Sequence, residues 1–404
     1  MMRILVISKQ IPYPLNSGYP LRIYNLLYRI ARQHEIWLAA FIPADHNPNE
    51  ISHLQKYCKG IETAVFENQK ALDHPIDALL YFIKGVPPDI RLSESRELAG
   101  KISHLITQVD FDIIQIEDSH MSTYLEILPR EIHPRTLLTF HDVNFMKYQR
   151  LIPLEHKYTR KARTWLHSRM MRRWEPFYAE RFGCCLAVSD SERDLLQSAN
   201  PHLKIEVIPN GVDTNLYQPL PYSNISPALI FVGNMRYRPN IDAMAYFCRD
   251  IYPKIQREIV DLEMWIVGIN PSPEVKQLEG KGVHVTGGVE DVRPLYSRST
   301  VCVVPLRAGG GTRGKILEAM ALGRPVVSTS IGCEGLEVVD GEHLFIADTP
   351  DEFAEKTISL LKDKGLWLRI TAQARELVVN RYDWEVITRR LLQVYSGLAR
   401  GTSL

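Results

Sequence analysis

Short apolar runs alternate with helix-period segments along the whole chain, and that alternation limits the fold more than any other feature. In the first half the runs are "RILVIS", "IWLAAF", "DIIQIE", "TLLTFH", "CLAVS" and "KIEVIP", with amphipathic segments such as "LRIYNLLYRIARQH" and "SERDLLQSA" between several of them. The second half repeats the scheme with "ALIFVG", "EMWIVG", "VHVTG", "VCVVPL", "RPVVST" and "HLFIAD". Runs of this kind, bounded by turn residues and separated by helices, are the strands of βαβ units, buried on both faces. Two such series predict an α/β protein with two Rossmann-like, doubly wound parallel sheets. At 404 residues the chain is also too long for one ordinary core. The first domain is expected over 1–218 and the second over 219–382. "LYQPLPYSNISP", rich in proline and polar residues and without periodicity, joins them, just after the Asn-Gly turn signal of "IPNGVD". Two more helices, "PDEFAEKTISLLKD" and "WEVITRRLLQVYSGLA", follow the last strand.

Composition narrows the function. A formal net charge of +1 gives no global attraction for nucleic acid, so an anion-binding surface must be local. The six cysteines show no C-x-x-C spacing, and Cys184, Cys185, Cys248 and Cys302 lie in or beside apolar segments. They read as buried small hydrophobes of a reducing compartment rather than a zinc site. "MMRILVISKQ" suits a first strand better than a signal sequence, and no run approaches the ~18 apolar residues of a membrane span. The expected location is the cytoplasm, at most on the inner membrane face.

The stretch with the most chemistry is "VPLRAGGGTRGKILEAMALGRPVVST", residues 304–329. A strand-to-helix turn leaves the first N–H groups of the helix unpartnered, and the helix dipole adds partial positive charge. Gly309, Gly310 and Gly311 have no side chain to block an approaching anion. Arg313 and Lys315 place full positive charge in the first turn, where the dipole disfavours it unless an anion is present. The turn is therefore a candidate phosphate cradle; the plain alternative is a glycine-rich turn with solvated cations. Gly309 to Lys315 also spells the P-loop spacing G-x-x-x-x-G-K. Ile316 then stands where Ser or Thr should hold Mg²⁺, and "PVVSTS" ends without the second metal-anchoring Asp. Glu318, close to the helix mouth, can accept hydrogen bonds from ribose hydroxyls; an early-helix glutamate also suits the dipole without any ligand.

These residues, in order with "VIPNGVDTNLY", "LIFVGNMRYRPNIDA", "WIVG", "VTGGVEDVRPLYSRSTVCVVPL" and "GCEGLEVVDGEHLFIADTPDEFAEKTISLL", resemble the retaining glycosyltransferases of family 4, which have the two-domain GT-B fold. The first half matches more loosely, through "PYPLNSGYPLRIYNLLYRIA", "FDIIQIE", "TFHD" and "CLAVSDSERDLL". The resemblance implies two Rossmann-like domains facing an interdomain cleft, with a nucleotide-diphosphate sugar on the second and a glycan or lipid-linked acceptor entering from the first. A final helix, 383–404, would pack back on the first domain. Glu318 matches the second glutamate of the family's E-x7-E motif. Gly310 stands in place of the first, so backbone amides around Gly309, Gly310, Gly311 and Thr312 would take over its contact. The family's Arg and Lys after the "FVG" glycine are replaced by Asn234 and Pro239; Arg236 and Arg238 are near but displaced, with a solvent-facing position as the alternative, leaving Arg313 and Lys315 to stabilise the leaving group. Gly18 would face the donor phosphate, His141 the transferred sugar, and Glu117 an acceptor hydroxyl; an ordinary loop and a structural histidine are the alternatives. Transfer would retain the anomeric configuration, by front-face attack in which the leaving phosphate takes the acceptor proton.

Cations and aligned N–H groups can stabilise a departing diphosphate without a metal, so neither metal nor cofactor is expected. "DFD", Asp110 to Asp112, imitates a metal motif but reads as a turn before a buried strand. A sugar transferase is the leading reading. A nucleotide-sugar epimerase or hydrolase of the same fold, and a non-catalytic nucleotide-binding protein, are the alternatives. One feature stands apart: residues 147–173 carry Lys147, Arg150, Lys157, Arg160, Lys161, Arg163, Arg169, Arg172 and Arg173 against the single acid Glu155, with aromatic residues interleaved. Such a basic amphipathic region suits anionic lipid or a lipid-diphosphate acceptor, or is a solvated helix face; no nucleic-acid module surrounds it.

Overall fold

The computed structural model describes residues 1–15, 17–66, 85–155, 157–221, 227–309 and 313–401. They form two compact units, 1–209 with 388–404, and 210–387. The first holds a seven-stranded parallel sheet: β1 (Arg3–Ser8), β2 (Glu35–Ile42), β3 (Gly60–Val65), β4 (Ile113–Glu117), β5 (Thr136–Thr139), β6 (Cys184–Ala187) and β7 (Ile205–Val207), in the order β3-β2-β1-β4-β5-β6-β7. The second holds six parallel strands: β8 (Ala228–Val232), β9 (Glu263–Val267), β10 (Val283–Gly287), β11 (Val301–Val304), β12 (Val326–Ser328) and β13 (Phe345–Ile346), in the order β10-β9-β8-β11-β12-β13. Both are the doubly wound arrangement that the alternation predicts.

Central strands are apolar on both faces because helices cover both: Ile4, Leu5 and Ile7 of β1 and all four residues of β11 are solvent-inaccessible. One strand escaped the sequence reading. β3, "GIETAV", sits at the sheet edge, and its residues are mostly half-buried, so it shows no continuous apolar run. A helix was missed as well, Lys364–Leu377, between the two expected after the last strand. All six cysteines are free thiols and five are buried, with burial pushing Cys58 up to about 12.

Residues 214–221, which run into the first half of the stretch expected to link the domains, are fastened within the second unit by two arginines. Arg375, on the missed helix, donates to Thr214 O (2.9 Å), Tyr217 O (2.7 Å) and Ala321 O (2.7 Å). The last of these is a terminal carbonyl of helix Gly314–Ala321, which lacks an intrahelical partner. Arg324 is buried and donates to Tyr296 O, Leu220 O, Gly323 O and Pro221 O. The closing helix, Trp384–Ala399, begins in the second unit and ends in the first.

Candidate active site

The second sheet reverses its strand order between β8 and β11, and in open parallel sheets ligands gather beyond the strand C-termini at such a reversal. The chain leaves β8 toward helix Arg238–Tyr246 and β11 toward helix Gly314–Ala321. Of the expected glycine cradle, Gly310, Gly311 and Thr312 lie outside the described residues. Gly309 has φ +122°, a backbone conformation that favours glycine, and a Cβ there would come within 2.9 Å of Arg313 Nη2, at the tip of that side chain. Arg313 is buried and is the N-cap residue of the helix.

Lys315 does not reach outward. Its Nζ donates to Asn240 Oδ1 at 3.1 Å and sits 3.8 Å from the centre of the Phe231 ring. Asn240 in turn donates from Nδ2 to Asn234 O at 2.9 Å. A Cβ at Gly233 would meet Asn240 Nδ2 at 2.8 Å and Lys315 Nζ at 2.9 Å, so the "FVG" glycine makes room for the pair. Burial, reinforced by the Arg313 charge, brings Lys315 down to about 7. Burial likewise pushes Glu318, one turn further along the helix, up to about 7, with Lys315 countering only part of it. Desolvation thus outweighs the attraction between the two, and a ligand that brings negative charge to the amine would reverse the balance for Lys315. Arg236 is exposed, and its backbone N–H donates to Asn234 Oδ1 at 2.9 Å. Arg307, which the sequence reading did not single out, clamps the β11 connection to helix Arg238–Tyr246 by a two-point pair with Asp242 (2.6 and 3.0 Å).

In the first unit the reversal lies between β1 and β4. Glu117 ends β4, and His141 follows β5. His141 Nε2 donates to Glu117 Oε2 at 2.7 Å, while Gln115 Nε2 donates to Oε1 at 2.5 Å. Burial alone would raise Glu117; the hydrogen bond and charge of His141, with the Arg22 charge, outweigh it and hold Glu117 below the usual glutamate range. The Tyr19 ring lies 4.3 Å from the His141 ring, and its hydroxyl donates to Glu117 O at 3.2 Å. The final helix reaches this cluster through Tyr395, whose hydroxyl donates to Gln115 Oε1. Glu117 is therefore occupied at both oxygens and only 2% exposed, and it orients His141 rather than facing outward itself. Gly18 opens helix Gly18–Ile30 and is exposed, with no atom within 4 Å of where a Cβ would stand.

A further network of charged residues was not anticipated. Asp118, next after Glu117 and at φ +81°, pairs with Lys9 Nζ and accepts from His120 Nδ1 at 2.7 Å. A non-glycine residue held at positive φ marks a locally over-determined backbone. Burial works against a charged His120, but Asp118 and then Asp89, 3.6 Å from Nε2, win and raise it to about 9. Asp89 also receives Tyr148 and lies 3.2 Å from His167 Nε2. No short-range spacing announces this chain, since its members come from five separate segments. Asp112 of "DFD" accepts from Arg3 N at 2.7 Å, at the opposite end of β4 from Glu117.

Comparison with known proteins adds the following. Residues 17–216 match the model of the family "Glycosyltransferase Family 4", and residues 226–363 that of "Glycosyl transferases group 1". A phosphatidyl-myo-inositol mannosyltransferase of Mycobacterium leprae is 25% identical over 324 residues, 78% of this chain and 80% of its own. Among solved structures, sucrose-phosphate synthase of Thermosynechococcus elongatus superposes with a TM-score of 0.75 at 18% identity, covering 100% of both chains. Anabaena HepE, solved with UDP and glucose, does so with a TM-score of 0.64 at 18% identity, covering 98% of this chain and 100% of its own.

Proposed function

Since this chain belongs to the family 4, group 1 glycosyltransferases, we propose that it moves a sugar from a nucleotide-diphosphate sugar onto a glycan, polysaccharide-precursor or glycolipid acceptor, with the anomeric configuration retained. The observation that carries the reading is the Lys315–Glu318 pair behind Gly309, with both charges weakened by burial at a strand-order reversal. Relatives point the same way: one is named for mannosyl transfer to a phosphatidylinositol, another was solved with UDP and glucose.

In this scheme the diphosphate lies over the N-terminus of helix Gly314–Ala321, where N–H groups, the helix dipole, Arg313 and Lys315 meet the charge that develops as the sugar–phosphate bond breaks. Gly309, Gly310, Gly311 and Thr312 supply close backbone approach, and Glu318 accepts from the ribose hydroxyls. Gly18 and Arg236 are the further donor-binding residues of this reading. His141, oriented by Glu117, serves the transferred sugar. The acceptor oxygen attacks the anomeric carbon on the face the phosphate leaves, and its proton passes to the departing phosphate oxygen. No protein base and no metal are needed for that balance.

The test is a thermal-shift screen with UDP, GDP, ADP, CDP and dTDP and with the corresponding triphosphates, each with Mg²⁺ and with EDTA. A ligand at a hundred times its Kd adds about 2.7 kcal/mol. One diphosphate should stabilise the protein equally in both conditions, and Glu318→Ala should remove the effect. Transfer from the matching nucleotide sugar, with product configuration read by NMR, completes it. Stabilisation only by a triphosphate with Mg²⁺ would refute the assignment.

A further inference from the structure

Helix Tyr158–Ala179 carries six cations, Arg160, Lys161, Arg163, Arg169, Arg172 and Arg173, and a single acid, Glu175. Glu175 is fully buried and spent inward: it accepts from Ser119 Oγ (2.8 Å), Asn144 N (3.2 Å), Asn144 Nδ2 (3.0 Å) and Phe145 N (3.1 Å). Among the described residues none of the six cations forms an ion pair. This is unusual for a solvated helix face, where acids three or four residues away commonly balance the cations.

The same face is also aromatic. At about 100° per residue, Tyr158, Trp165, Leu166, Arg169, Arg172 and Arg173 fall within an arc of roughly 120°. Ser168, Met171, Trp174 and Glu175 occupy the opposite, buried side. Tyr158 is 90% exposed, Trp165 53% and Phe177, near the helix end, 63%. The Arg169 guanidinium lies 5.5 Å from the Trp165 ring centre. Rings with an apolar body and polar tip, mixed with guanidiniums and no acid, match the headgroup layer of an anionic bilayer: rings settle at headgroup depth and cations reach lipid phosphates.

The buried side holds the helix in place. His167 faces Asp89 at 3.2 Å, Trp174 Nε1 donates to Ser122 Oγ at 3.2 Å, and Ser168 Oγ donates to Phe145 O at 2.8 Å. No helix among the described residues is long and apolar enough to cross a membrane. We propose that the Tyr158/Trp165/Arg169/Arg172/Arg173 face of this helix is a peripheral docking surface for anionic phospholipid bilayers. The proposal does not depend on the transfer reaction, because vesicle binding is measured without donor or acceptor.

The experiment is co-sedimentation of the full chain with vesicles of phosphatidylcholine alone and of phosphatidylcholine with 30% phosphatidylglycerol, at low and high salt. Binding should appear only with phosphatidylglycerol and weaken with salt. Each cation near an anionic surface strengthens partition roughly fivefold, so Arg169→Gln/Arg172→Gln/Arg173→Gln should weaken it roughly a hundredfold. These side chains are exposed, and an unchanged unfolding midpoint would show that the variant folds. Trp165 emission should shift to the blue on binding, a change absent in Trp165→Phe. Equal binding to both vesicles, binding to neither, or a triple variant that binds like wild type would overturn the proposal. So would binding to a soluble sulfated glycan with indifference to vesicles, which would assign the face to an acidic polysaccharide.

Discussion

The two sheets reverse at equivalent places, β1/β4 and β8/β11, yet the polar groups collected there are in opposite electrostatic condition. In the first unit, acids and bases satisfy one another: His141 with Glu117, Lys9 and His120 with Asp118, Asp89 with Tyr148. Charge-stabilising partners overcome burial, so the carboxylates are held low and His120 is held high. In the second unit burial wins, and Lys315 and Glu318 are both driven toward neutrality. One fold therefore builds two kinds of strand-end cluster, one whose charges are internally compensated and one whose charges are weakened by burial. That division suits a donor whose diphosphate carries the largest charge in the reaction.

The comparison breaks most visibly at Lys315. Lys315→Met should lower turnover by about a hundred- to a thousandfold, as loss of one transition-state cation does, while leaving the ligand-free protein at least as stable. If ligand-free stability fell sharply instead, Lys315 would be a structural lysine like the cations of the first unit.

His120→Gln probes the compensated side. With His120 at about 9 in the folded protein against 6.5 for the free group, its stabilisation is complete below about 6.5 and lost as pH rises through about 9. The variant should lose on the order of 3 kcal/mol at pH 6 and match wild type above pH 10, checked by urea unfolding across that range.

A smaller and more specific effect is proton uptake. At pH 8 the Lys315 amine, at about 7, is mostly neutral, and a bound diphosphate should restore its charge. Calorimetry in two buffers of different ionisation enthalpy should show nearly one proton taken up per nucleotide diphosphate bound in wild type. In Lys315→Met that uptake should be absent. The smallest stability effect belongs to Gly18→Ala: with nothing within 4 Å of the new Cβ, the unfolding free energy should change by no more than about 0.5 kcal/mol. A loss of transfer on that background reports contact with substrate rather than with the chain.

Much of this was legible in the residues. Apolar runs located all the central strands because parallel strands buried on both faces cannot alternate polar and apolar positions. β3 was not legible because an edge strand half open to water can carry Glu62 and Thr63. The glycine turn was visible as the passage from β11 into a helix bearing Arg313 and Lys315, since glycines and misplaced cations are local signals. Glu117 and His141 were recognisable only as strand ends; their hydrogen bond joins residues from different strands, and nothing along the chain spells it.

Sequence by itself determined the two doubly wound sheets, the helices that cover them and the location of the candidate donor turn, because each follows from periodicity and turn chemistry over a few residues. Tertiary structure alone decided which charges survive. Asn240 reaches Lys315 across 75 positions of chain, Asp118 takes Lys9 across 109, and Glu175 turns inward to leave a helix face of unbalanced cations. Charge at a buried site depends on which dipoles and ions surround it in three dimensions, and the chain settles that only when its strands lie side by side.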